Sequence, residues 1–141
     1  MAVEEAIRIA EQDVEAFNEG DWERTRRLYG EAGVYNELAT GQRLVGGDDV
    51  AAGLQGWRQA FPDASGTITN TFSSGDQVVQ EVTWEGTHSG ELETPQGTIP
   101  ASNRRVTIYA VQVVECEDGH IRENRHYFDM LGMLQQLGAM G

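Results

Sequence analysis

Residues Gln77 to His88 read QVVQEVTWEGTH, and residues Asn103 to Cys116 read NRRVTIYAVQVVEC. In the first run Val78, Gln80, Val82, Trp84 and His88 share one parity, opposite Glu81, Thr83 and Glu85. In the second, Val106, Ile108, Ala110, Gln112 and Val114 lie opposite Thr107, Tyr109, Val111 and Val113. Side chains alternate across a strand, so a period of two predicts two long strands, each turning one face to a core. The turns Ser74-Gly75-Asp76 and Asp118-Gly119 predict hairpins to strands at Thr67 to Phe72 and His120 to Phe128.

Upstream the period changes. Val3, Ile7, Ala10, Val14 and Phe17 step by four and three, one face of a helix ended by Asn18-Glu19-Gly20. Asp21 is the expected N-cap of a short second helix carrying Trp22, Leu28 and Tyr29. Val34 to Leu38 reads as a short strand and Ala39 to Gly47 as a loop. Asp48 or Asp49 should cap a third helix, with Val50, Leu54, Trp57 and Phe61 on one face and Phe61-Pro62-Asp63 closing it. Ser89 to Pro100 reads as a loop, and Met130 to Leu137 as a helical tail. Helices followed by a meander of long strands predict an α+β architecture. Its curved antiparallel sheet wraps around the N-terminal helices as a cone with an internal pocket.

The 141 residues fit one domain, 1–141, of globular composition, 39% hydrophobic and 23% charged. Ten basic residues, all Arg, against 23 acidic ones leave a net charge of −13. That field repels phosphate backbones and anionic lipid surfaces, which argues against nucleic-acid and membrane partners. No apolar run approaches the roughly 20 residues of a membrane helix, and no secretory leader is visible, so a cytoplasmic location is expected. Cys116 is the only cysteine and has no base near it in sequence, which suits an inert strand residue. No phosphate loop, dinucleotide fingerprint or serine elbow is present, so no cofactor is expected. On a strand His120 and His126 share a parity that Glu123 does not, so the three do not converge on a metal.

Five strings bear on family: Phe17-Asn18-Glu19-Gly20-Asp21, Gly56-Trp57-Arg58-Gln59-Ala60-Phe61-Pro62-Asp63, Gly86-Thr87-His88-Ser89-Gly90, Asp118-Gly119-His120-Ile121, and Asp129 with Gln136-Leu137-Gly138. In order and spacing they resemble the SnoaL-like polyketide cyclase (ester cyclase) family over nearly the whole chain. The resemblance implies the cone fold shared with ketosteroid isomerase and scytalone dehydratase, a ligand cavity, no metal and an oligomeric assembly. It also implies a cofactor-independent aldol-type ring closure of a carbonyl-rich small molecule.

Asp129 is the expected general acid/base. It follows Tyr127-Phe128 and precedes Met130-Leu131, an apolar setting in which a carboxylate is costly unless paired or protonated. The resemblance places the family's acid/base Asp there; the residues alone favour an N-cap of the tail helix. Asn36 matches a family Asn that contacts ligand and could bind a substrate carbonyl. His88 and Gln112 are polar residues in inward rows, expected to orient substrate, with Trp57, Trp84 and Tyr127 completing the substrate-binding set. Gln112 stands where some relatives carry His. Alternatives on the same cone are isomerisation, dehydration or epoxide hydrolysis, the last needing an Asp-Arg-Asp set around Arg125, or a non-catalytic ligand-binding module. Apolar residues on both faces of the long strands predict a homodimer packed sheet to sheet.

Overall fold

The computed structural model describes residues 2–139. Helix α1 (Val3–Glu19) buries Ala6, Ile9, Ala10, Asp13, Val14 and Phe17, a stripe rotated slightly from the expected one and leaving Val3 exposed. Gly20, at φ 67°, takes the left-handed position that closes the helix. Asp21 caps α2 (Trp22–Tyr29) as expected, its side chain accepting from the Arg24 amide.

Strand β1 (Val34–Glu37) is followed by β2 (Gln42–Val45), within the stretch expected to be a loop. Arg43 and Val45 are exposed and only Leu44 is partly covered, so β2 carries no alternation for a sequence to display. Helix α3 (Gly47–Ala60) starts from Gly46 with no side-chain cap. Asp48 and Asp49 lie instead in its first turn, where negative charge complements the helix dipole. The long strands are β3 (Ser65–Ser74), β4 (Gln77–Thr87), β7 (Arg105–Glu117) and β8 (His120–Phe128), and α4 (Met130–Gln136) forms the tail. The second expected loop folds into a small hairpin of β5 (Leu92–Thr94) and β6 (Gly97–Ile99).

The main sheet has the order β2-β1-β8-β7-β4-β3. The long strands pair antiparallel as expected, and the short β1 adds a parallel pairing with β8 at the edge of that meander. Asp118 and Gly119, at φ 50° and 79°, make the tight β7–β8 turn. The register aligns four buried polar residues in one row across the inner face: Glu37, His126, Gln112 and Gln80. A β-bulge at Glu115/Cys116 matters equally. Cys116 pairs with Ile121 but Glu115 with Glu123, so Arg122 is the extra residue. The inward parity of β8 therefore changes from Ile121 to Asn124, His126 and Phe128.

Two apolar clusters hold the layers together. One joins α1, α2 and α3 to the sheet through Ile9, Phe17, Tyr29, Leu54, Val78, Val114 and Ile121. The other closes the far end with Phe61, Leu92, Val106, Met133 and Leu137. At the entry to β1 the backbone is packed too closely for a side chain. A Cβ on Gly33 would lie 2.3 Å from the Tyr29 carbonyl oxygen and 2.5 Å from that of Ile121. Gly33→Ala is expected to cost about 1–3 kcal/mol through forced backbone shifts, read as a lower urea midpoint; an unchanged midpoint would mean this crossing is slack.

Candidate active site

Helices α1 and α3 cover the inner face of the sheet and leave between them a cavity of about 90 Å³. Its walls are mostly apolar, with Phe17, Trp57, Phe61, Trp84 and Phe128 as the aromatic members beside a small polar patch. That patch consists of Asp13 from α1, Gln112 from β7, and Asn124 and His126 from β8.

Asp13 sits in the middle of the apolar stripe of α1. Its Oδ2 accepts from the Tyr29 hydroxyl at 3.3 Å and from Asn124 Nδ2 at 3.1 Å, while Oδ1 is buried without a partner. Burial pushes the Asp13 carboxyl up from 3.8 to about 7, against the opposing pull of the Tyr29 and Asn124 hydrogen bonds. Asn124 also donates to Gln112 Oε1 at 2.7 Å, which fixes its amide with Oδ1 buried and unpartnered. His126 Nδ1 lies 2.8 Å from the Tyr35 hydroxyl, and its Nε2 is likewise orphaned. Burial lowers the His126 imidazole from 6.5 to about 4, so it is neutral at physiological pH. The Trp84 indole N–H is a fourth buried polar group without a partner.

Unpaired buried polar groups cost roughly 1–3 kcal/mol each. Four of them on residues of one aromatic cavity amount to unsatisfied recognition capacity for a ligand with both hydrogen-bond donors and acceptors. The cavity as it stands is smaller than the roughly 150 Å³ void that holds benzene. A ring-sized ligand would need its walls to yield, and the partly exposed Trp57 and Trp84 stand on them.

Of the residues expected to form the site, Gln112, Trp57 and Trp84 line the cavity. The other four lie outside its lining. Asp129 is exposed and adopts the capping alternative, its Oδ1 accepting from the Gly132 amide at 2.9 Å as the N-cap of α4. Tyr127 shares its outward parity and is 43% exposed. Asn36 shares a register position with Arg125 and points away from the inner face that Tyr35 and Glu37 occupy. His88 is fully buried, but its Nδ1 accepts from the Ser102 amide at 3.1 Å and its ring packs on Phe61, which ties the end of β4 to the following loop. Arg125 is held by Glu115 and Glu123 and does not line the cavity, so it supplies no arginine for an Asp-Arg-Asp set. Cys116 is buried, and burial raises its thiol to about 11, consistent with an inert side chain.

The residues that sequence reasoning passed over carried modest signals. Asp13 lies three positions after Ala10 and four before Phe17, a carboxylate inside the apolar face of an amphipathic helix. Tyr35 and Glu37 share the inward parity of β1. Asn124 and His126 reach the inner face through the β8 bulge, which has no sequence signature here.

An α+β sheet closed by helices over an aromatic cavity with a few convergent polar groups defines a small-molecule site of the cone type. The chain belongs to the SnoaL-like polyketide cyclase family, whose pattern matches residues 7–137. Its fold is that of a ketosteroid isomerase-like protein from Catenulispora acidiphila, 18% identical over 92% of each chain with a TM-score of 0.78. IdmH from Streptomyces antibioticus, put forward as a polyketide cyclase, is 26% identical over 94% of this chain and 98% of its own (TM-score 0.78). An LEH-like epoxide hydrolase of M. tuberculosis is 25% identical over 97% and 92% respectively (TM-score 0.72). No curated protein matches the sequence. Among the described residues no helix is long and apolar enough to cross a membrane, and no group of three or more potential metal ligands converges.

Proposed function

We propose that the chain catalyses a cofactor-independent proton-transfer reaction on a carbonyl-rich small molecule, an aldol-type ring closure in the manner its family suggests, with Asp13 as the general acid/base. The observation that carries this reading is the unpartnered Asp13 Oδ1 in the cavity wall, on a carboxyl that burial pushes up to about 7. The Asp13 carboxylate removes a proton from a carbon flanked by two carbonyls. The resulting enolate carbon attacks a second carbonyl of the same molecule, forming the C–C bond and an alkoxide. Asp13 returns its proton to that alkoxide. In this scheme the unpartnered Trp84 indole N–H donates to the enolate oxygen, and Asn124, donating to Asp13 Oδ2 and Gln112 Oε1, steadies the carboxylate. The aromatic walls hold the two ends of the chain in attack geometry, which replaces several kcal/mol of entropic cost.

Isomerisation begins with the same proton abstraction, so the polar patch serves that alternative equally; epoxide hydrolysis lacks its arginine in the cavity lining. Exchange of the α-proton of a 1,3-diketone in D₂O reads the base separately from ring closure. Loss of exchange in Asp13→Asn with retention in Asp129→Asn supports the reading, and the reverse pattern overturns it.

The sheet's outer face supports the expected homodimer as part of the same proposal. Tyr109 is 78% exposed and Tyr127 is 43% exposed on that face, with Val111 and Val113 partly covered beside them. A second sheet packed on this face would bury all four. Sedimentation at micromolar concentration should give twice the 15.5 kDa chain mass; a monomer would remove the dimer from the account.

A further inference from the structure

Glu37, Tyr35 and His126 form a hydrogen-bonded chain that the proton-transfer reading leaves without a role. The Tyr35 hydroxyl has one proton and two polar neighbours, Glu37 Oε2 at 2.6 Å and His126 Nδ1 at 2.8 Å. Glu37 is 1% exposed. Its Oε2 also accepts from Trp57 Nε1 at 2.9 Å, and its Oε1 accepts from the Thr40 hydroxyl at 2.6 Å. Three donors on two oxygens is the arrangement of a carboxylate, which can only accept. The tyrosine proton is therefore committed to Glu37, and the tyrosine oxygen accepts from His126. That assignment puts the imidazole proton on Nδ1 and leaves Nε2 as a bare lone pair. Nε2 is buried, has no protein partner, and belongs to a residue that lines the cavity. A ligand donor is what it lacks.

We propose that Glu37 and Tyr35 are positioning residues that lock His126 in its Nδ1–H tautomer, so that Nε2 accepts a hydrogen bond from an O–H of the substrate, an enol or phenol hydroxyl. The inference rests on the cavity being the active site and names the substrate chemistry it selects, which is enolised or hydroxylated in preference to wholly ketonic. The relay also explains the burial of Glu37, a costly carboxylate that touches no part of the Asp13 cluster. Rings of Tyr35, Trp84 and Phe128 surround the imidazole and hold its plane, so that the tautomer and not ring rotation decides what faces the ligand.

Nitrogen-15 NMR of histidine-labelled protein tests this without a known substrate. In the wild type at pH 7, His126 should show a protonated Nδ1 and an unprotonated Nε2. Added phenol should shift the Nε2 resonance, and anisole, which keeps the ring but lacks the O–H, should not. Tyr35→Phe and Glu37→Gln should each move His126 toward the Nε2–H tautomer and weaken the phenol response at least several-fold. The His88 signals, from a ring outside the relay, report that each variant is folded. An Nε2–H tautomer in the wild type overturns the proposal, as does a phenol response absent or equal to that of anisole. So does a tautomer unmoved in both variants. If neither variant folds, the wild-type tautomer and the phenol–anisole comparison decide alone. The Asp13 reading fails by a different result, normal proton exchange in Asp13→Asn, which leaves the tautomer lock intact.

Discussion

Turnover of the substrate is expected to fall by roughly 10²–10⁴ in Asp13→Asn and to stay essentially unchanged in Asp129→Asn. The asymmetry follows from what each carboxylate touches. Asn at position 13 keeps an oxygen able to accept from the Tyr29 hydroxyl and Asn124 amide, as Oδ2 does now, so the fold around the cavity should hold. What it loses is basicity at the position of the unpartnered Oδ1. Asp129 binds the Gly132 amide at the start of α4, and Asn caps a helix about as well as Asp. Asp129→Ala should instead cost about 1 kcal/mol of stability with turnover retained. A large loss of turnover in Asp129→Asn, with Asp13→Asn normal, would return the acid/base role to the end of β8.

The second large effect is on stability against pH. Burial raises Asp13 from 3.8 to about 7 and lowers His126 from 6.5 to about 4, so both are kept neutral in the folded chain. Their contributions have opposite sign. Between pH 3.8 and about 7 the folded protein keeps an Asp13 proton that the unfolded chain has released, so stability falls as pH rises through that window. Between about 4 and 6.5 the unfolded chain binds a His126 proton that the folded protein does not, so stability falls as pH drops. Each slope is near 1.4 kcal/mol per pH unit, and in the wild type the two oppose one another. Asp13→Asn should expose the histidine slope, gaining up to about 4 kcal/mol relative to wild type as pH rises through the Asp13 window. His126→Gln should expose the carboxyl slope, gaining up to about 3 kcal/mol relative to wild type as pH falls through the histidine window. Urea midpoints measured across these windows check both. Parallel curves for the wild type and Asp13→Asn would mean that Asp13 is not held protonated by burial.

The fold was largely legible because its long elements carry unmixed periods. The alternation in Val78 to Trp84 and Val106 to Val114 survives intact in β4 and β7. The four-and-three steps survive as buried faces from Ala10 to Phe17 in α1 and at Val50 and Leu54 in α3. The parallel contact of β1 with β8 was hidden because pairing between distant strands leaves no local trace. The site was legible only where it followed strand parity alone, at Gln112 and Trp84, and at Trp57 on the covered face of α3. The acid/base reading of Asp129 comes from the family resemblance, and the apolar neighbours that agree with it face different ways. Phe128 lines the cavity, whereas Tyr127 and Asp129 take the opposite parity. The bulge at Arg122 decides which residues of β8 look inward, and it arises from pairing with β7. Asp13 is hard to read from sequence because the apolar residues of α1 define its buried face and a single charged residue among them leaves the period unchanged.

On the proposed mechanism the cavity holds a carboxyl tuned by burial to exchange protons near neutrality. Carbon-13 NMR of the Asp side-chain carboxyls, with Asp13→Asn to identify the signal, measures this directly. Asp13 is expected to show a titration midpoint near 7. A midpoint near the ordinary value of about 4 would contradict it, leaving Asp13 a structural partner of Tyr29 and Asn124 and the cavity without its acid/base.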